Sequence, residues 1–205
     1  EVAAEPNVAD RSDTETTKPS EPSAPDSKPA STSSGVKNNY TVKSDSKSFT
    51  LKAEGYGEVS FASSNSKVAS VDPKTGKVKV KGPGIVKITI SASGDDAHAA
   101  TTKVITIKVN PKKASIKSAK SKDKKQLTIS WKRDSQVSGY EIQYSTDKNF
   151  KNAKTVTVTK NKATSKSINK LKSGKKYYIR VRSYKKFGKE KLNGSWSKTS
   201  SAKAQ

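Results

Sequence analysis

The feature that most constrains this chain is a period of two, in which valine and isoleucine alternate with lysine, threonine or serine. Val78 and Val80 alternate with lysines in this way, and Val86, Ile88 and Ile90 continue the pattern. Successive side chains of a strand point to opposite faces of a sheet, so this alternation predicts antiparallel strands with one buried face. The sequence therefore predicts an all-β fold.

The kinds of apolar residue also favour strands over helices. Valine and isoleucine together number 26, whereas leucine numbers four and methionine is absent. Branching at Cβ suits a strand, so this composition excludes a helical bundle or a coiled coil. The chain has no run of 18 apolar residues, and we expect no membrane insertion.

Charge divides the chain into three segments. Residues 1–36 are rich in proline, serine and threonine and carry a net charge of −4, whereas residues 37–110 carry +6 and residues 111–205 carry +22. The first segment has almost no large apolar residue, which predicts a disordered tail or linker. We expect each of the other two segments to form one β-sandwich, with Pro111 stiffening the connection between them and restricting the hinge. Because the chain begins with glutamate, we also expect a processed or excised product.

Turn residues separate the apolar runs. In Asp72-Pro73-Lys74-Thr75-Gly76, proline stands where φ is already fixed and glycine where φ must be positive. Several short strands with such turns between them predict sandwiches. The residues expected to form the two cores share the apolar faces of these strands. They are Phe61, Val78, Val80, Ile88, Ile90, Ile105, Ile107, Ile129, Trp131, Tyr140, Ile142, Leu171, Tyr177, Ile179 and Val181.

Three blocks of the middle segment occur in an order known from a domain family. They are Phe61-Ala-Ser-Ser-Asn65, Val68-Ala-Ser-Val-Asp72 and Thr75-Gly-Lys-Val78. With them, the stretch from Val59 to Val109 resembles the group 2 bacterial immunoglobulin-like (BIG2) domains. The resemblance implies an immunoglobulin-like β-sandwich.

Aromatic spacing in the last segment points to a second family. Trp131 is followed at the expected distance by Tyr140, and Leu171, Gly174 and Tyr177 come later in the order of a tyrosine corner. Residues 114–203 thus resemble a fibronectin type III domain. The resemblance implies another sandwich, in which a tyrosine hydroxyl holds a strand crossover through a backbone hydrogen bond. The proline common after the tryptophan is missing, which leaves the turn that follows less defined.

Lysine-rich motifs within this segment are similar to those of fibronectin type III domains in exported proteins of Gram-positive bacteria. They are Ser145-Thr-Asp-Lys-Asn-Phe150, Lys175-Lys-Tyr-Tyr178 and Gly194-Ser-Trp-Ser197. This similarity implies a secreted protein or one on the bacterial cell surface.

The titratable residues do not form the pattern of an active site. General acid–base catalysis needs two converging groups, and no pair emerges from the five acids of the last segment. Asp95 and Asp96 stand beside His98, the one histidine, but without the oxygen-rich alternation of a calcium loop. The chain has no cysteine, which removes thiol nucleophiles and nearly all zinc sites. We expect no enzyme, no cofactor and no metal.

Lysine dominates the basic residues, since only four of the 42 are arginine. Nucleic-acid readers generally use the planar guanidinium group, so no specific nucleic acid is expected and such binding is only a remote alternative. Lysine suits hydration or diffuse attraction to a polyanion such as an anionic wall polymer or an acidic glycan. The leading hypothesis is a non-catalytic spacer or adhesion segment of two modules. The alternative is an accessory carbohydrate-binding unit of a secreted polysaccharide-acting enzyme.

Lysines within the predicted strands also bear on self-association. Lys77, Lys79, Lys81 and Lys87 would repel a second copy from the edge of a sheet. We therefore expect a monomer.

One strand face could contact a ligand. If Tyr177, Ile179 and Val181 point inward, their neighbours on the same strand point outward. The fibronectin type III resemblance implies that the strand with Glu141 and Gln143 lies alongside, so one arginine could form a surface ion pair with Glu141. Trp196 is the best candidate for a platform on which a sugar ring stacks, although its indole could instead pack across lysine and arginine stems. The complete set of candidate ligand-contact residues is Tyr178, Arg180, Arg182, Tyr184, Phe187 and Trp196.

Overall fold

A computed structural model describes residues 35–121 and 123–205, and all the regular structure in these residues is β-strand. This confirms the predicted all-β fold. Of the predicted disordered tail, only Gly35 and Val36 lie within the described residues. Within the same residues there is no helix of the length and apolarity that a membrane crossing requires.

The first seven strands form two sheets that enclose one core. They are β1 (Asn39–Lys43), β2 (Phe49–Thr50), β3 (Val59–Ser63), β4 (Ala69–Val71), β5 (Lys77–Val80), β6 (Gly84–Ala92) and β7 (Thr101–Asn110). One sheet has the order β1-β7-β6-β3 and the other the order β2-β5-β4. The first strand pairs with β7 in parallel, with Tyr40 opposite Ile107. The alternation pattern, which indicated antiparallel pairing, did not anticipate this parallel pair.

Val36 belongs to the first core, although the sequence placed it in the tail. Its side chain is buried, and its carbonyl oxygen accepts a hydrogen bond from Lys103 Nζ at 2.6 Å. A single valine after a polar stretch has no periodic partner, so the pattern could not separate it from the linker.

The remaining eight strands form the second pair of sheets. They are β8 (Ile116–Lys120), β9 (Leu127–Trp131), β10 (Gly139–Ser145), β11 (Lys154–Val158), β12 (Ser165–Ile168), β13 (Lys176–Phe187), β14 (Glu190–Asn193) and β15 (Ser200–Lys203). One sheet has the order β12-β9-β8, and the other has the order β11-β10-β13-β14, with β15 also paired to β13. The first part of the long β13 pairs with β15 and its last part with β14. Residues 194–199 connect β14 to β15 along this strand and contain Trp196.

Each pair of sheets has its own core. The first core is built around Ile88, Ile105 and Ile107, and the second around Trp131, whose ring lies 5.2 Å from that of Tyr140. All the predicted core residues are buried except Val80, which is half-buried and packs against the first core.

The turn before β5 is held by one carboxylate and one glycine. Asp72 Oδ1 accepts hydrogen bonds from the backbone nitrogens of Lys74 at 3.1 Å and Thr75 at 2.8 Å. Gly76 has φ of 66°, and a Cβ there would lie 2.5 Å from the Leu51 carbonyl oxygen. Glycine is therefore required both by the backbone conformation and by the lack of space.

The strand lysines lie on sheet faces rather than at sheet edges. Lys77 and Lys79 are on β5, which lies between β2 and β4, and Lys87 is on β6 between β7 and β3. The expectation that these lysines guard edges was wrong, because the alternation fixes the face of a side chain but not the position of its strand in the sheet.

Hydrogen bonds and an ion pair join the two pairs of sheets around the buried Pro111. The Lys112 backbone nitrogen donates to Ser44 Oγ at 3.0 Å, and Gln136 Nε2 donates to the Lys81 carbonyl oxygen at 3.1 Å. Lys108 Nζ lies 2.6 Å from Glu190 Oε2. The junction thus has contacts from the linker, from the turn before β10 and from the first residue of β14.

Candidate functional site

The outer face of the sheet formed by β10 and β13 carries the two predicted arginines. Arg182 lies opposite Glu141, and Arg180 lies opposite Gln143, as the strand register requires. Arg182 Nε donates to Glu141 Oε2 at 2.7 Å, and Arg180 Nε donates to Gln143 Oε1 at 2.8 Å. Both guanidinium groups are therefore engaged within the fold.

Glu141 is buried, whereas the sequence suggested that it forms an ion pair on the surface. The residue is only 6% exposed, and Lys191 on β14 donates a hydrogen bond to its second carboxylate oxygen. Burial alone raises the pKa of Glu141, but the hydrogen bonds from Lys191 and Arg182 outweigh it and hold the pKa below its usual value. One buried carboxylate is thus shared by two cations.

Trp196 packs across the arginines. Its ring centroid lies 4.7 Å from Arg180 Cζ and 4.5 Å from Arg182 Cζ, and Arg180 Cζ also lies 4.0 Å from the centroid of the Phe150 ring. Burial lowers the pKa of Arg180, with the nearby Arg182 charge as a smaller contribution. We call Phe150, Arg180, Trp196 and Arg182 the aromatic–cation stack. Because guanidinium groups lie over the indole, the geometry fits packing across arginine stems rather than an open platform for a sugar.

Tyr184 is not available to a ligand, which corrects its place among the candidates. The residue is 1% exposed, and Lys191 Nζ lies 4.5 Å from its ring centroid. Its ring lies over Gly139, where an added Cβ would be 2.7 Å from the Tyr184 hydroxyl oxygen. Tyr184 shares the outer face with Arg182, but the glycine opposite lets it lie flat and become covered.

The remaining two candidates lie apart from each other. Tyr178 is half-buried near one end of β13, where Lys176 Nζ lies 5.4 Å from its ring centroid. Phe187 is 42% exposed at the other end, in a groove that Val68 and Pro83 of the first pair of sheets also line. The six candidate residues therefore do not form one site.

Two residues of this face were missed. Phe150 ends the Ser145–Phe150 motif in a turn, where no periodic pattern gives the direction of a side chain, so the sequence did not predict its contact with Arg180. In the structure its φ is 62°. Lys191 reaches Glu141 from β14, and its register becomes evident only once β14 is paired with β13. The hairpin sequence Phe187-Gly-Lys-Glu190 was the available signal for that register.

The turn around His98 is a capped turn. Asp95 Oδ1 accepts hydrogen bonds from the backbone nitrogens of Ala97 at 2.9 Å and His98 at 2.8 Å, and it also contacts His98 Nδ1. The His98 contact is the largest cause that holds the pKa of Asp95 below its usual value. Residues 35–121 and 123–205 contain no cluster of three or more histidine, aspartate or glutamate side chains that could hold a metal.

Tyr177 makes the backbone bond that the family resemblance implied. Its hydroxyl accepts a hydrogen bond from the Lys172 backbone nitrogen at 3.0 Å. Residues 110–201 match the model of the fibronectin type III domain. The chain contains a fibronectin type III domain. This domain includes Trp131, Tyr177 and the aromatic–cation stack.

The first pair of sheets matches a bacterial-type family. Residues 44–94 match the model described as the intimin, immunoglobulin-like domain. The finer assignment to group 2 stays a prediction. Domains of these two kinds are typically non-catalytic structural modules and are typical of extracellular or surface proteins.

Solved structures align with the chain at low identity, and the fold is shared with the first of them. A segment of two fibronectin type III domains from chicken tenascin aligns with a TM-score of 0.52 and 15% identity, covering 73% of this chain and 85% of that chain. The FN1–FN3 domains of chicken CNTN1 align with a TM-score of 0.41 and 18% identity, covering 86% of this chain and 66% of that chain. None of the curated proteins compared with the chain matches it.

Proposed function

We propose that the chain is a non-catalytic extracellular or bacterial cell-surface module pair that acts as a spacer, holding what it joins at a set distance and angle. The single observation that carries this proposal is the bonded junction around Pro111. Free hinging there would break the Lys112–Ser44 bond, the Gln136–Lys81 bond and the Lys108–Glu190 ion pair. Each contact is weak alone, but the three lie on different chain segments and oppose rotation together.

An adhesive role is the second part of the proposal. Three acids of the last segment are already paired with cations, since Glu141 binds Arg182, Glu190 binds Lys108, and Asp134 lies 3.9 Å from Lys112. The lysine excess of the fibronectin type III domain therefore stays available for an anionic wall polymer or an acidic glycan. Carbohydrate binding through Trp196 receives no support, because arginine side chains lie over the indole.

Paired spin labels test the spacer directly. The chain has no cysteine, so Lys79→Cys and Lys166→Cys, both exposed and one on each pair of sheets, can be labelled in the full chain. A fixed junction predicts a single narrow distance distribution. Combining Gln136→Ala with Glu190→Gln should broaden the distribution, whereas the exposed control Glu54→Gln should not. A broad distribution in the unaltered junction would contradict the spacer.

A further inference from the structure

An open groove of about 670 Å³ lies at the end of the fibronectin type III domain that is away from the junction. Strand β10 begins just after Gln136, which contacts the first pair of sheets, and it ends at Ser145, which lines the groove. The groove lies between the turn that leads from β10 to β11 and the turn that leads from β12 to β13. Its volume is within the range of small-ligand sites, and none of the predicted ligand-contact residues lines it.

Four lysines give the groove its charge. They are Lys151, Lys154, Lys170 and Lys172, and none of them forms an ion pair within residues 35–121 and 123–205. The one acid in the lining is Asp147, whose Oδ1 accepts hydrogen bonds from the backbone nitrogens of Asn149 at 2.7 Å and Lys151 at 3.4 Å. That oxygen is therefore used by its own turn, and four lysines against one aspartate leave the groove with a net positive charge.

The floor combines aromatic surface with a free hydroxyl. The rings of Tyr144 and Tyr177 lie 6.2 Å apart, centroid to centroid. The Tyr177 hydroxyl is held by the Lys172 backbone nitrogen, whereas the Tyr144 hydroxyl makes no hydrogen bond with any described residue. Burial raises the pKa of Tyr144, so this hydroxyl stays a neutral donor. Asn152 and Asn169 also line the groove.

The rim is held in place by the aromatic–cation stack. Phe150, Asn152 and Lys170 have φ of 62°, 51° and 60°, a backbone conformation that residues other than glycine rarely adopt. Phe150 is fixed because its ring packs on Arg180. The loop that presents Lys151 and Asn152 is thus anchored on its neighbouring sheet, and the groove exists before any ligand binds.

We infer that this groove binds a short stretch of an acidic glycan, with a sugar ring against the tyrosine floor and carboxylate or phosphate groups on the rim lysines. The half-buried Tyr144 ring offers apolar surface to a sugar ring, and its free hydroxyl and the asparagine residues of the lining match the hydroxyl groups of the sugar. Lysine acts as a hydrated point charge, which suits anionic groups spaced along a polysaccharide more than the edges of nucleic-acid bases. The inference rests on the adhesive part of the proposed function and gives it a location.

Matched charge changes test the location. Lys170→Gln with Lys172→Gln removes two rim charges, and Lys120→Gln with Lys166→Gln removes two exposed charges from the other sheet. With an oligogalacturonate as the carboxylate probe and a glycerol phosphate oligomer as the phosphate probe, affinity is measured in the full chain at about 0.15 M salt. The groove pair should weaken binding about tenfold and the control pair less than about twofold, because only the groove pair loses direct charge-assisted contacts.

A third variant tests the tyrosine floor of the groove rather than the charge of its rim. Tyr144→Phe keeps the ring and removes only the hydroxyl, so it should weaken binding of the oligogalacturonate while leaving binding of inorganic polyphosphate, which has no sugar ring, unchanged. Thermal unfolding of each variant shows whether the fold is kept.

Each outcome bears on a separate claim. Equal losses for the two lysine pairs would overturn the groove and leave a diffuse adhesive role standing. Absence of any binding by the unaltered chain, even at low salt, would remove both the groove and the adhesive role. Equal or tighter binding of single-stranded DNA, lost with the groove pair, would contradict the glycan in favour of nucleic acid.

Discussion

Glu141 and Arg182 face each other across β10 and β13, with Arg182 Nε 2.7 Å from Glu141 Oε2. Lys191 binds the second carboxylate oxygen, so the one buried acid of the described residues is bound on both sides by cations. In a chain of net charge +24, this pairing links three neighbouring strands that would otherwise bring like charges together.

Acid should weaken the fold through Glu141. Its pKa in the folded chain is below the usual 4.5, so its contribution to stability is present above that pH and is lost as the pH falls through the folded-state pKa. Urea unfolding from about pH 7 to about pH 3 should show a falling free energy of unfolding, and Glu141→Gln should flatten that fall. Asp72 and Asp95, whose pKa values are also lowered, contribute in the same direction and remain in the variant. A variant curve parallel to that of the unaltered chain would contradict the account.

Loss of the indole should destabilise the fibronectin type III domain. Trp196→Ala removes ring contacts with both arginines, each worth about 0.5–2 kcal/mol depending on exposure, and we expect a loss of about 2 kcal/mol in the free energy of unfolding. Trp196→Phe keeps a ring and should lose about half as much. Denaturant unfolding measures both values. A Trp196→Ala chain as stable as the original would show that the stack is incidental.

Two glycines with similar φ values allow the cost of backbone strain to be measured separately from the cost of steric crowding. Gly76 has φ of 66° and Gly174 has φ of 74°, but an added Cβ at Gly76 would meet the Leu51 carbonyl oxygen and the Phe61 ring, while one at Gly174 would meet nothing within 4 Å. Gly174→Ala should therefore cost about 1 kcal/mol, from strain alone. Gly76→Ala should cost clearly more, because the backbone of its turn must shift. Equal losses in thermal or denaturant unfolding would argue against the close approach at Gly76.

The chain should be a monomer. The lysines on β5 and β6 do not guard edges, but the net charge of +24 still opposes the approach of a second copy. Sedimentation velocity at moderate salt should give a sedimentation coefficient that does not change with concentration. A coefficient that rises with concentration would show self-association.

The period of two located most of the core, because one buried face is a local property of each strand. Residues such as Ile88, Trp131 and Ile179 could therefore be predicted. The parallel pairing of β1 and the burial of Val36 could not, since both depend on the neighbour across the sheet rather than on local alternation.

The candidate site also has features that the sequence predicted and features that it could not. The outward direction of Arg180 and Arg182 followed from alternation along one strand, and the pairing with Glu141 followed from the strand order that the fibronectin type III resemblance implied. The burial of Tyr184 depends on Gly139 opposite it, and the end groove depends on loop residues such as Lys170 whose φ is positive. Loop conformation and cross-strand coverage leave little periodic signal in a sequence.

A single measurement tests most directly whether the two sandwiches are held at a set angle. Residual dipolar couplings of backbone amides in the full, weakly aligned chain yield an alignment tensor for residues 36–110 and another for residues 111–205. If the junction around Pro111 is fixed as the spacer requires, the two tensors will have the same magnitude and orientation in the frame of the structure. Tensors that differ clearly in magnitude would mean that the two units move independently, and the spacer account would be wrong.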